Sequence, residues 1–453
     1  MITSTDPRMR AALAGFGDEE IPDRLPTRLP LLEAFSEAHA HTDNPATRLG
    51  DLNGVRVLFI QHHLAAFLPR IQTMVDEGMA WDQTWMVDIP YSTNEQVRDI
   101  IAGKAGVHMA KRLHDPLAPY HRSQLGRVME AVEEISDSLG SGSLLVVDDG
   151  AYFIRALHQL RDRPGLVDRF RGRTHIVEQT TRGHRYLTNR EHKEFRNLLA
   201  TIEATVVSIA RCATKTQVEA PFIGAAASRG LRQALVKLGA NPARLERVAI
   251  IGYGTVGQWV FDALKTLAPN ARLTVVDTSW RKRRRIKAFG GSPHRRLPRD
   301  QAYDMVVGCT GYASFDLDDR RALATESLLV SCSSAAVEFN RSRFIEKAEA
   351  DGAYEILSPA SGSDDIRAPI VMTDGDRRFI FVNAGFPVNF DGELDNLPLR
   401  FIQATHTLLY AAGWQALRST TLGVRALDPR ADRWILNNAL HQLEPTTTQS
   451  PSD

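Results

Sequence analysis

Short apolar runs alternate with stretches of helical periodicity along most of the chain. Residues 55–60 read as a strand and 64–77 as the helix after it; 85–89 read as a second strand and 96–102 as a short helix. Apolar positions at helical spacing over 127–139 predict a longer helix ending near Gly140 and Gly142. The run 144–148 is a buried strand that turns at Asp149 and Gly150, and 174–178 is another short strand. This alternation predicts a parallel sheet with crossover helices. A second unit of the same kind opens near residue 250, with strands at 248–251, 273–276, 305–307 and 328–330. The run 379–382 predicts a strand leading back to the first unit, and 397–412 a helix. The tail, 444–453, is rich in Pro, Thr and Ser and is expected to be disordered.

The second unit carries the most specific motif. The apolar run 248–251 ends at Gly252-x-Gly254-x-x-Gly257, a helix is predicted over 258–267, and the next apolar run ends in Asp277, 20 residues after Gly257. In that setting the pattern is a dinucleotide-binding fingerprint. Gly252 permits a tight turn, Gly254 lets backbone approach a pyrophosphate, and Gly257 lets helix and strand pack closely. The helix start, with Thr255 and Val256, offers free N–H groups to phosphates, and Asp277 can accept hydrogen bonds from an adenosine ribose. The expected fold is therefore α/β with two domains, each a mainly parallel sheet with crossover helices. A Rossmann-type NAD-binding domain over 223–382 is inserted in a discontinuous substrate domain made of 1–222 and 383–453. The basic run Arg281–Arg285 follows Asp277 and suggests an NADP 2′-phosphate, but Asp277 would repel that phosphate, so NAD is expected.

Composition narrows the classes. With 453 residues, 43% of them hydrophobic, the chain can bury a sizeable core in two or three domains. A net charge of +1 gives no global field toward nucleic acid or a membrane surface. Cys212, Cys309 and Cys332 lie far apart, without metal or disulfide spacing, and no apolar run has membrane-spanning length. A cytoplasmic protein with a small-molecule substrate is expected. His39, His41 and Asp43 suggest a metal site only weakly, since no third cluster accompanies them.

Several segments, in order, resemble S-adenosylhomocysteine hydrolases. Val177-Glu-Gln-Thr-Thr-Arg-Gly183 resembles that family's Glu-Glu-Thr-Thr-Thr-Gly, and Ala213-Thr-Lys-Thr-Gln-Val-Glu219 its Val-Thr-Lys-Ser-Lys-Phe-Asp. Val147-Asp-Asp-Gly150 and Val382-Asn-Ala-Gly385 resemble its Leu-Asp-Asp-Gly and Val-Asn-Leu-Gly, and Asp277 stands where the family has Glu. The resemblance implies tightly bound NAD that transiently oxidises a secondary hydroxyl and so acidifies the neighbouring C–H, which enables elimination or exchange. By matched position it implies Lys215 as the base beside the hydroxyl and Asp149 as the base for the carbon acid. His62 would stand near the reacting centre, with Glu219 at the family's Asp position. A lysine serves as a base only where burial or a neighbouring cation lowers its pKa. Thr180, Thr181 and Asn383 would contact the cofactor, with Thr310 and Gly311 in the loop over it and Gln179 at the substrate ribose. A homo-oligomer is implied as well.

The departures are concentrated. The family's adenine-binding Thr and Glu are Leu64 and Ala66 here; its second Glu is Gln179, and its Asn after the acidic residue is Ala220. Its Gly-His-Pro is Gly385-Phe-Pro, its later His is replaced within Ser334-Ala-Ala336, and no lysine follows Lys347 and no tyrosine Tyr410. Losing buried hydrogen-bonding partners erodes selectivity steeply. The departures predict a substrate other than S-adenosylhomocysteine, with a nucleoside or thioether as the expected class. The alternative is a catalytically inactive, NAD-binding relative with a regulatory or partner-binding role.

Overall fold

Fifteen strands fall into two sheets in a computed structural model that describes residues 6–16, 24–40, 50–333, 335–351, 354–358 and 365–443. In chain order the first sheet contains β1 (Arg56–Gln61), β2 (Thr84–Asp88), β3 (His108–Met109), β4 (Leu144–Asp148), β5 (Thr174–Glu178) and β6 (Thr205–Ser208). The second contains β7 (Arg247–Ile251), β8 (Arg272–Val276), β9 (Ser292–His294), β10 (Tyr303–Gly308), β11 (Leu323–Ser331), β12 (Tyr354–Ser358), β13 (Ile370–Asp374) and β14 (Arg377–Phe381). The last strand, β15 (Gly423–Ala426), returns to pair with β6.

The first sheet is parallel throughout, in the order β15-β6-β5-β4-β1-β2-β3. The second runs β12-β13-β14-β11-β10-β7-β8-β9, parallel from β14 to β9, with an antiparallel meander at the β12 end. Both therefore share one arrangement. The first strand sits centrally, the next two extend to one side and the fourth onward to the other. Chain direction across the sheet reverses between β1 and β4 in one sheet and between β7 and β10 in the other. These are doubly wound, Rossmann-type sheets, and the crevice beyond the carboxyl ends of the strands at such a reversal is where ligands bind.

Both faces of each sheet are covered, which is why the strands read as apolar runs. Leu58, Ile60, Val87 and Val146 point one way, toward Val128, Val132 and Ile135 of the helix Tyr120–Ser138. Val57, Phe59, Met86, Leu145 and Val147 point the other way, toward Leu408, Leu409 and Ala412 of the helix Leu399–Arg418. In the second sheet Val248, Ile250, Val275, Met305 and Val307 pack on Leu231, Leu235, Val260 and Leu264.

The run 379–382, expected as the strand from which the chain leads back to the first domain, is largely β14, the last strand of the second sheet in chain order. The return is made by the helix Leu399–Arg418 and β15. Residues 444–453, His41, Asp43 and Ser334 lie outside the described residues. The three cysteines are buried and free. No helix among the described residues is long and apolar enough to cross a membrane, and no metal-competent cluster occurs among them.

Candidate functional site

At the β7/β10 reversal the three glycines act as their spacing predicts. Gly252 has φ 99°, open to glycine at little cost. A Cβ on Gly257 would lie 2.0 Å from Gly252 O, so only glycine lets the helix Thr255–Leu267 seat against the turn. A Cβ on Gly254 would meet nothing within 4 Å, which leaves open space above the helix start. No side chain caps that helix, so its first N–H groups, Thr255 and Val256 among them, are available to an anion.

The glycines Gly252 and Gly254, with Asp277, Thr310 and Tyr312, line a cleft of ≈ 1110 Å³. Asp277 accepts from Ser279 N at 2.8 Å and Tyr253 N at 2.9 Å, and pairs with Lys282 Nζ at 3.2 Å. Burial raises the Asp277 carboxyl, but the amides and Lys282 outweigh it and hold the group below its ordinary range. Within the basic run marked in the sequence, Lys282 lines the cleft. Arg295, Arg296 and Arg185 line it too, and no motif points to them. Gly311 follows Thr310 at φ 75°.

Glu338 is a site residue that no sequence pattern predicts. It is fully buried beneath the loop after β10. Its Oε1 accepts from Thr310 N at 2.5 Å, Gly311 N at 2.6 Å and Ser333 Oγ at 2.5 Å. Its Oε2 accepts from Thr310 Oγ1 at 2.8 Å and Ser314 Oγ at 2.5 Å. Gly308 makes room, since a Cβ there would lie 2.7 Å from the Glu338 side chain. Glu338 thus fixes Thr310 and Gly311. Its only signal in sequence is one acidic residue among small and apolar neighbours.

At the β1/β4 reversal the contents are side chains. His62 follows β1 and Asp149 follows β4, and His62 Nε2 lies 3.3 Å from Asp149 Oδ2. The Ser92 hydroxyl donates to Ile89 O at 2.9 Å, so it accepts from His62 Nδ1 at 2.6 Å. With the Nδ1 proton directed at Ser92, Nε2 is the ring nitrogen that faces the Asp149 carboxylate. Phe390 stacks on the imidazole, with centroids 4.9 Å apart.

Behind Asp149, Glu178 ends β5 fully buried. It accepts from Ala151 N at 2.8 Å, Thr180 N at 2.6 Å and Thr180 Oγ1 at 2.8 Å. Burial pushes Glu178 well above the usual carboxylate range, and its neighbour Asp148 up to about 7, so these two acids hold protons that exposed ones release. Thr180 also accepts from Gly183 N at 2.9 Å and so caps the helix Thr181–Thr188, with Thr181 as its first residue. Gln179 Oε1 is buried without a hydrogen-bond partner.

Lys215 and Glu219 form an ion pair at 3.1 Å within a π-helical turn, Lys215–Glu219. Pro221 has no N–H to give and crowds the carbonyl four residues back; the turn before it widens, with Ala220 N donating to Lys215 O. Two distant residues hold this turn. Thr405 Oγ1 donates to Glu219 Oε2 at 2.6 Å, and Asp432 accepts from Ala213 N at 2.7 Å and Thr214 Oγ1 at 2.7 Å. No hydrogen bond or ion pair joins Lys215–Glu219 to His62–Asp149 among the described residues.

Asn383 is not among the residues lining the cleft at the β7/β10 reversal. It sits at φ 53°, and its amide donates to Pro387 O at 2.9 Å and Phe390 O at 3.2 Å, closing its own loop. It lines a separate cavity of ≈ 300 Å³ with Lys237 and Arg367. Leu64 and Ala66 are buried, and Ala66 N donates to Asp395 Oδ2 at 3.0 Å. Phe386, where the resembled family has His, is buried and stacks on Tyr91.

The fold and this site define a protein with two Rossmann-type sheets, each with a crevice at its switch point. Two uncharacterized proteins of Mycobacterium tuberculosis, from strains CDC 1551 / Oshkosh and ATCC 25618 / H37Rv, are each 23% identical to the chain over 375 residues. The match covers 81% of this chain and 63% of each relative, so the chain spans less than two thirds of their length. No family model matches. Among solved structures, a dipicolinate synthase component from Bacillus halodurans aligns at 13% identity and TM-score 0.34, over 66% of this chain and 88% of its own. The dipicolinate synthase of Bacillus subtilis aligns at 12% and 0.34, over 68% and 87%.

Proposed function

We propose that the chain is an NAD-dependent enzyme with adenosylhomocysteinase-like chemistry, acting on a substrate other than S-adenosylhomocysteine. One observation carries the reading: the two switch-point crevices hold complementary equipment, an uncapped glycine turn in one and a His62–Asp149 pair 3.3 Å apart in the other. Gly252, Gly254, Gly257 and the amides of Thr255 and Val256 would hold the pyrophosphate, Asp277 the ribose, and Thr310 and Gly311 the side toward the first sheet. NAD rather than NADP fits Asp277, because a 2′-phosphate would face its carboxylate. When bound, the dinucleotide supplies a hydride acceptor.

The chain's own residues supply the proton transfers. Lys215, ion-paired with Glu219 at 3.1 Å, gives a proton to that carboxylate as it takes the proton of a secondary hydroxyl. Asp149, as the carboxylate, takes the proton from the acidified carbon and passes it to the unprotonated Nε2 of His62, whose Nδ1–H is directed at Ser92. The apolar surroundings of Leu64 and Ala66 support a substrate without the adenine contacts of the resembled family.

The test is a single-turnover panel of nucleosides, thioethers and secondary alcohols against protein loaded with NAD. The expected result is the absorbance of NADH with at least one member and its loss in Lys215→Ala. Efficient release of homocysteine from S-adenosylhomocysteine would overturn the substrate reading. If no member reduces bound NAD, the inactive NAD-binding relative becomes the better description.

A further inference from the structure

Next to the His62–Asp149 pair the first lobe holds positive charge that its own acids do not neutralise. Arg155 and Arg182 are both largely shielded from solvent. The Arg155 guanidinium lies 4.9 Å from the Tyr152 ring centroid and 5.0 Å from that of Tyr186, and Arg182 lies 5.9 Å from the Tyr186 centroid. Arg155 NH1 is buried with no hydrogen-bond partner, and so is His121 Nε2, while His121 Nδ1 lies 3.3 Å from the Tyr152 hydroxyl.

Neither arginine forms an ion pair among the described residues. The nearby acids are otherwise engaged: Asp148 accepts from Tyr152 N and Phe153 N, and Asp149 faces His62. The field is felt by the neighbours. Burial would raise the Tyr186 hydroxyl, yet Arg182 and Arg155 bring it below its ordinary value. Burial, with the same two arginines and Arg341, pushes His121 well below the usual histidine range, so it is a neutral donor.

The same lobe shows how it treats buried arginines that serve structure. Arg98 NH1 lies 2.9 Å from Asp88 Oδ1, Arg127 shares that oxygen, and Thr93 completes the carboxylate. A buried guanidinium without such a partner is costly, and a ligand anion removes the cost. Arg182, moreover, stands where the resembled family has a threonine.

We infer that the substrate carries an oxyanion, a carboxylate or a phosphate, received by Arg155, Arg182 and His121 beside Asp149. This inference rests on the reading of His62 and Asp149 as the reacting end. The anion anchors the substrate beside the reacting end.

Calorimetry of the full chain with inorganic phosphate and, separately, malonate tests this. One of the two is expected to bind, which also tells phosphate from carboxylate. Binding should weaken about tenfold or more in Arg182→Gln and in Arg155→Gln, and it should persist in Lys282→Gln. Circular dichroism and thermal unfolding of the same preparations report that each variant is folded; if Arg182→Gln does not fold, Arg155→Gln carries the comparison. Binding of neither probe overturns the inference. So does a loss confined to Lys282→Gln, which would put the anion in the dinucleotide cleft. Anion binding without NAD reduction would overturn the proposed activity alone, whereas NAD reduction by neutral substrates without anion binding would overturn this inference alone.

Discussion

The two sheets follow the same strand order, yet their switch points hold opposite contents. At β7/β10 the chain withholds side chains: Gly252, Gly254 and Gly257 expose backbone N–H groups, and an open cleft of ≈ 1110 Å³ follows. At β1/β4 it crowds them in, with Asp149, Ser92 and Phe390 all in contact with His62. The difference is one of chemistry on a common frame. Backbone amides recognise an anion that need only be held, whereas moving protons requires titratable groups at fixed separations. A fold of this type sets where a site lies, and the residues just past the strand ends set what it does.

Four experiments break or sharpen this contrast. The largest effect is expected in the side-chain lobe. Asp88→Asn leaves Arg98 and Arg127 buried against a neutral partner and should destabilise the chain by about 3–5 kcal/mol in urea unfolding. In the glycine lobe the expected split is sharper. Gly257→Ala forces a Cβ toward Gly252 O and should cost about 1–3 kcal/mol along with dinucleotide binding. Gly254→Ala meets no atom within 4 Å, so stability should stay within about 0.5 kcal/mol while dinucleotide affinity falls. Equal effects on both quantities in Gly254→Ala would remove the phosphate-approach role of that glycine.

Glu338→Gln swaps one of two accepting oxygens beneath the loop after β10 for a donor. A loss of about 1–3 kcal/mol and weaker dinucleotide binding are expected; unchanged binding would make Glu338 structural only.

The smallest effect is on pH dependence. Burial raises Glu77 and Asp395, both in the side-chain lobe, to about 7. The folded chain then keeps protons that the unfolded chain releases from about pH 4 upward, so these groups make stability fall as pH rises from about 4 to about 7. Glu77→Gln and Asp395→Asn should each flatten that part of the profile in thermal unfolding, and a profile that steepens would reverse the sign.

Where a feature depends on residues close in sequence, the chain alone makes it legible. The glycine turn, the helix after it and Asp277 all lie within residues 247–277, and local backbone geometry requires those residue types at that spacing. Most strands of both sheets are legible as apolar runs because both faces are covered. The strands β3, β6, β9, β12, β13 and β15 are not, since two to five residues carry too little periodicity.

Tertiary structure alone decides how the candidate bases are held. Lys215 and Glu219 take their positions from Asp432 and Thr405, more than 180 residues further along. His62 meets Asp149 only because β1 and β4 are neighbours, and Asn383 proves to brace its own loop. Glu338, and the lack of an acidic partner for Arg155 and Arg182 among the described residues, are invisible in the sequence for the same reason. Sequence spacing encodes backbone geometry over a few turns, but the partner of a buried charge is set by which distant elements pack against it.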